Sequence, residues 1–165
     1  MKVAVFGKTL YAGVMAALLS ECGHQVYWCN IFQDSQYIQR YFQDESVERL
    51  LEKQLAQGFL EYCDFSALPL DLDAYLFSFS PTDQHLGQHV LLQLQQRAII
   101  HPKLMINAST LGLQGTENFS ALLPQDHWVY LPDTIQEGNA LASVTQAKQL
   151  IVGCSQAEVQ VKVRE

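Results

Sequence analysis

Lys2-Val3-Ala4-Val5-Phe6-Gly7-Lys8-Thr9-Leu10-Tyr11-Ala12-Gly13 begins the stretch that decides the fold, which runs on to Gly23-His24-Gln25-Val26-Tyr27-Trp28-Cys29-Asn30. Lys2 to Phe6 is short, apolar and rich in valine, and it stops at a glycine, the pattern of a buried strand. From about Leu10 to Cys22 the apolar residues recur at helical spacing, and Gly23 then breaks the run. Gln25 to Asn30 reads as a second strand. Strand, glycine turn, helix and strand within about 30 residues make a βαβ unit, whose two strands pair in parallel.

Beyond this unit the alternation continues. Within the more polar stretch Gln33 to Gln57, the residues Val47, Leu50, Leu51 and Leu55 form an apolar stripe opposite Glu45, Glu48, Glu52 and Lys53. That spacing predicts an amphipathic helix ending near Gly58. Short strands are expected at Leu60–Cys63, Ala74–Phe79, Leu104–Ala108, Trp128–Leu131 and Leu150–Val152, with helices at Gln84–Arg97, Glu117–Leu123 and Glu137–Gln146. Strands alternating with helices along the whole chain predict an α/β fold: a Rossmann-like, doubly wound, mainly parallel sheet with helices on both faces. No repeat or linker interrupts it, so residues 1–165 read as one domain. The tail Val159-Gln160-Val161-Lys162-Val163 alternates like an edge strand, and Tyr37, Ile38, Tyr41 and Phe42 recur at helical spacing as core or as a partner-facing patch.

Composition narrows the function. The chain has 165 residues, 48% of them hydrophobic and only 16% charged; that composition buries a core and excludes wholesale disorder. A formal charge of −7 argues against a surface that tracks phosphates, so nucleic acid is a poor partner. No apolar run approaches the roughly 20 residues that span a bilayer, and Met1 to Gly7 lacks the pattern of a signal peptide. Cys22, Cys29, Cys63 and Cys154 are scattered beside apolar segments with no Cys-x-x-Cys among them, as expected of a reduced, cytoplasmic protein without a structural disulfide.

The turn Gly7-Lys8-Thr9-Leu10-Tyr11-Ala12 follows a strand and opens a helix, the setting of the dinucleotide-binding pattern Gly-x-Gly-x-x-Gly/Ala. Gly7 supplies the tight turn and Ala12 the close helix–strand packing. Thr9 stands at the middle position, where the lack of a Cβ lets backbone approach a pyrophosphate. A P-loop is excluded, because Lys2 occupies the place of its first glycine. His85 and His89 lie four apart on one helix, but no third ligand follows at a telling distance, so no metal is expected.

In sequence order the chain resembles the amino-terminal domain of the UDP-glucose/GDP-mannose dehydrogenases. The matching stretches are Lys2 to Val26, Val47-Glu48-Arg49-Leu50-Leu51 leading to Gly58-Phe59-Leu60, and Ser80-Pro81-Thr82. They continue with Asn107-Ala108-Ser109-Thr110 before Gly115-Thr116, Leu131-Pro132-Asp133-Thr134-Ile135-Gln136-Glu137-Gly138, and Leu150-Ile151-Val152-Gly153. The resemblance implies oxidation of a nucleotide sugar by NAD. It places Gly7, Thr9 and Ala12 at the pyrophosphate turn and Asn30 at the adenosine ribose. Thr82, Thr110 and Glu137 fall beside the nicotinamide, and Asp133 at a catalytic carboxylate.

Departures from the family fall at these positions. Thr9 replaces a Gly, Asn30 an Asp, Ala108 a Lys, Asp133 a Glu and Leu131 an Asn. The family's catalytic Cys belongs to a later domain, and none of the four cysteines here lies in its motif. Three expectations therefore stand together. The first is an NAD-type domain with weak or no cofactor binding and no catalysis alone, its ligand a dinucleotide or nucleotide-type molecule. The second is a non-catalytic binding or scaffolding module, with a protein partner or a second copy of itself. The third is a fragment of a full dehydrogenase.

Overall fold

Six strands and five helices follow one another among the described residues. The structure is a computed structural model, and it describes residues 1–31, 44–154 and 159. β1 (Lys2–Phe6), β2 (Gln25–Asn30), β3 (Leu60–Asp64), β4 (Ala74–Phe77), β5 (Leu104–Asn107) and β6 (His127–Tyr130) form one sheet in the order β3-β2-β1-β4-β5-β6. Every ladder is parallel, with registers such as Phe6↔Cys29, Phe6↔Phe77 and Phe77↔Asn107. The order reverses between β1 and β4, which puts the topological switch point, and the crevice expected there, at the carboxyl ends of those two strands.

Strand alternation builds two cores. Val3 and Val5 of β1 join α1 (Leu10–Glu21), α2 (Glu45–Gln57) and α5 (Ala140–Thr145) on one face. Ala4 and Phe6 point the other way, into a core shared with Val90, Leu91 and Leu94 of α3 (Gln84–Gln95) and Phe119 of α4 (Gly115–Ser120). Phe6 and Phe77 stack there with ring centroids 5.4 Å apart. Gly87 of α3 is a packing glycine: a Cβ would come within 2.5 Å of the Phe119 ring.

Several boundaries differ from the sequence expectation. β4 ends at Phe77, not Phe79, because Ser78 and Phe79 leave the ladder toward a 3-10 turn at Pro81–Asp83. α4 begins earlier and stops earlier than Glu117–Leu123. α5 starts at Ala140 rather than Glu137, since Gly138 adopts φ 77° and Asn139 takes the capping position. Leu150–Val152 is not a strand. Gly153 makes a single antiparallel bridge with Tyr130. Continuing that pairing would set Ile151 against Pro132, which has no N–H to offer a ladder. Leu150 and Ile151 are accordingly 63% and 67% exposed. Tyr37, Ile38, Tyr41, Phe42 and most of the 159–163 tail lie outside the described residues; Val159 is helical and buried.

Asp44, which the sequence reading passed over, organises one end of this architecture. Its Oδ1 caps α2 by accepting from the N–H groups of Ser46 (3.1 Å) and Val47 (3.3 Å), and its Oδ2 accepts from Ala140 N–H (3.1 Å) at the start of α5. One buried carboxylate thus holds two helices together. The Ser46 hydroxyl, followed by those backbone donors, keeps its carboxyl below the ordinary value.

Candidate functional site

Gly7 sits at the switch point with φ +111°, and an added Cβ would fall 1.9 Å from the Ser78 carbonyl oxygen. The tight approach of β4 to the turn therefore demands a glycine there whatever the crevice holds. Trp28 of β2 reaches under the turn from the α1 face, its Nε1–H donating to the Gly7 carbonyl at 2.9 Å.

Thr9 is the N-cap of α1. Its backbone is extended, and its Oγ1 accepts from Ala12 N–H at 3.1 Å while sharing a hydrogen bond with Ser78 Oγ at 2.5 Å. Ala12 itself is fully buried against the sheet. Gly7, Thr9 and Ala12 thus share one turn, with Ser78 added. Ser78 carried no motif signal. Thr9 had one, a hydroxyl residue just before an apolar helical run, which is the usual mark of an N-cap.

Asn30, Thr82 and Thr110 lie at or after the carboxyl ends of β2, β4 and β5. Asn30 ends β2 in register with Asp64 and is half-buried. Thr82 is exposed in the 3-10 turn after β4, its hydroxyl 2.8 Å from Ser80 Oγ, which in turn donates to Asp83 at 2.8 Å. Thr110 is exposed, and its N–H donates to the Phe79 carbonyl. Between these two, Ser109 is buried, accepting from Phe79 N–H (2.9 Å) and donating to the Phe77 carbonyl (3.2 Å). Asn107 accepts from Ser109 N–H (3.0 Å) and donates to Thr116 Oγ1 (2.9 Å). The floor of the crevice is therefore a chain of hydroxyls and amides that satisfy one another.

Asp133 lies on the loop after β6. Its Oδ1 accepts from Ile135 N–H at 3.1 Å, an Asx-type turn. Desolvation raises its carboxyl above the ordinary value, and the Ile135 N–H partly offsets this. Its charge adds to the burial that pushes the Tyr11 phenol well above its usual range. Beside these two lies a pocket of about 300 Å³ lined by Tyr11, Pro132, Thr134, Val144, Lys148 and Ile151. Glu137 is exposed and makes no hydrogen bond or ion pair among the described residues, so the structure does not join it to the other candidates. His85 and His89 are exposed on α3, and the described residues contain no group of three ligands that could hold a metal ion.

A parallel sheet in this order, with a glycine turn at its switch point, defines a Rossmann-type class of fold. Among solved structures the chain is similar to the NDP-N-acetyl-D-galactosaminuronic acid dehydrogenase of Methanosarcina mazei, with a TM-score of 0.81 at 16% identity over 98% of this chain and 40% of that one. It is also similar to the GDP-mannose dehydrogenase of Pseudomonas aeruginosa, with a TM-score of 0.79 at 15% identity over 99% of this chain and 43% of that one. A putative F420-dependent NADP reductase from Arthrobacter follows, with a TM-score of 0.72 at 13% identity over 99% and 78%. The chain thus has the fold of a part of the nucleotide-sugar dehydrogenases and spans less than half of their length. No family model matches it, and no curated protein matches its sequence. No helix among the described residues is long and apolar enough to cross a membrane.

Proposed function

We propose that residues 1–165 form one NAD-binding-type Rossmann domain related to the amino-terminal domain of nucleotide-sugar 6-dehydrogenases, with its cofactor turn closed by its own side chains. It binds NAD weakly or not at all and performs no turnover alone. The observation that carries this reading is Thr9. A pyrophosphate seat needs open N–H groups at the first turn of its helix and backbone free to approach. Here Thr9 takes the Ala12 N–H for itself, and its hydroxyl is held by Ser78. The residues present therefore fit a pyrophosphate poorly.

Loss of catalysis has separate support. Cys29 and Cys63 are buried in the core beneath β2 and β3, and Cys22 caps the far end of α1, away from the crevice. Asp133 is engaged in its own turn. A cytoplasmic setting with reduced thiols suits the four free cysteines.

Calorimetric titration with NAD tests the proposal. The wild type should show millimolar affinity or none, while Thr9→Gly, which frees the Ala12 N–H and removes the Cβ, should bind more tightly. Micromolar NAD binding by the wild type would overturn it. UDP-glucose with NAD should yield no reduced nicotinamide.

A second reading, a non-catalytic scaffolding module, is favoured by the exposure of Tyr130, Leu150 and Ile151 beside the edge strand β6. In that case the chain associates through this edge, with itself or with another protein. A light-scattering mass of a single chain at high concentration would remove the self-association form of this reading.

A further inference from the structure

We infer that Cys29 and Cys63 form a redox-active dithiol that closes to a cross-strand disulfide on reaction with a low-molecular-weight disulfide such as oxidised glutathione. The two residues are register partners on the parallel strands β2 and β3, and their side chains enter the same core beside Phe6 and Phe65. Neighbouring strands lie about 4.8 Å apart, inside the roughly 4.4–6.8 Å range of Cα separations that disulfides span.

Their surroundings assign the roles. The neighbouring Cys29 lowers the Cys63 thiol against the opposing effect of burial, whereas Cys63 and burial both raise the Cys29 thiol. The Arg97 guanidinium, held over the Phe65 ring at 5.1 Å and donating to the Phe65 and Leu68 carbonyls, adds positive potential at both sulfurs. Glu61 and Asp64 oppose it at Cys63. Cys63 lies on the edge strand and is 7% exposed, against 0% for Cys29. Local opening of that edge admits a small reagent to Cys63 first.

The chemistry is two successive thiol–disulfide exchanges. The Cys63 thiolate attacks one sulfur of glutathione disulfide, forming a mixed disulfide and expelling one glutathione thiolate. Cys29 then gives up its proton and attacks the Cys63 sulfur, expelling the second. Two protein thiols are oxidised, one small-molecule disulfide is reduced to two thiols, and the two protons leave with them. The product ties the sheet's edge strand to its neighbour one residue below Asn30, at the adenosine end of the crevice. Cytosolic disulfides that form and reverse in this way usually serve sensing rather than structure.

The full wild-type chain should be incubated with oxidised glutathione until Cys22, which is exposed, is fully modified, and then mapped by peptide mass spectrometry. The expected result is a Cys29–Cys63 linked peptide, reversed by dithiothreitol, with the melting temperature raised by on the order of 5–10 °C. A lasting glutathione adduct on Cys63 without closure would overturn the inference. So would unreacted Cys29 and Cys63 beside modified Cys22, or bridging of either residue to Cys22 or Cys154. In a Cys63→Ser chain, Cys29 should remain unmodified under the same treatment, and its modification would contradict the assigned roles.

Discussion

Gly7→Ala separates what the turn does for the fold from what it does for a ligand. The new Cβ would stand 1.9 Å from the Ser78 carbonyl oxygen and 2.6 Å from its carbon, both backbone atoms of the segment leaving β4. Backbone cannot swing aside as a side chain can, so β1 and β4 must part locally. That overpacking costs about 1–3 kcal/mol, and holding alanine at positive φ costs about 1–2 kcal/mol more. The sum, roughly 2–5 kcal/mol, is a large share of the 5–15 kcal/mol that holds a typical domain together. Gly23→Ala is the internal control. Gly23 has φ +85°, but nothing lies within 4 Å of its would-be Cβ, so only the conformational part, about 1–2 kcal/mol, applies. Both substitutions restrict the unfolded chain alike. Urea unfolding of the two variants beside wild type measures the difference. Equal losses would refute the argument that contact with Ser78 fixes Gly7.

Other outcomes follow from the contacts at the turn and the helix ends. Thr9→Ala should lower stability by about 1 kcal/mol through loss of the α1 cap, while Thr9→Gly should lose only a few tenths, as urea midpoints would show. Trp28→Phe leaves the Gly7 carbonyl without its buried donor and should cost about 1–3 kcal/mol in the same assay. Asp44→Ala strips the caps from α2 and Ala140 together and should cost about 2–3 kcal/mol. Because the folded state lowers the Asp44 carboxyl, its stabilisation is complete above the unfolded value near pH 4 and fades as pH falls through the folded one. The stability gap between wild type and Asp44→Asn should therefore narrow in acid; a gap that widens there would show the sign to be wrong.

The β1–α1–β2 unit was legible because its signals are local: an apolar run, a glycine, a helical period and a second glycine at Gly23. The parallel order also followed, since each strand is separated from the next by a crossover. What stayed hidden depends on strands remote in sequence. Ser78 matters only because β4 docks beside β1, some 70 residues after the turn it touches. Asp44 gains its second role from α5, far along the chain. The apolar triplet Leu150–Val152 looked like a strand because a short hydrophobic run carries no period, and the Pro132 opposite it decided the matter. Thr9 was noticed for what it displaces, yet its consequence lies in the bonds it makes.

The indole under the glycine turn makes this protein its own spectroscopic instrument. Of the two tryptophans, Trp28 is hydrogen-bonded to the turn, whereas Trp128 donates to the Leu123 carbonyl on the opposite face of the sheet. A molecule that enters the crevice and moves the Gly7 peptide must alter the emission of the first and leave the second as an unlabelled reference. With Trp128→Phe, emission alone therefore reports whether any candidate ligand engages the turn, before its chemistry is known.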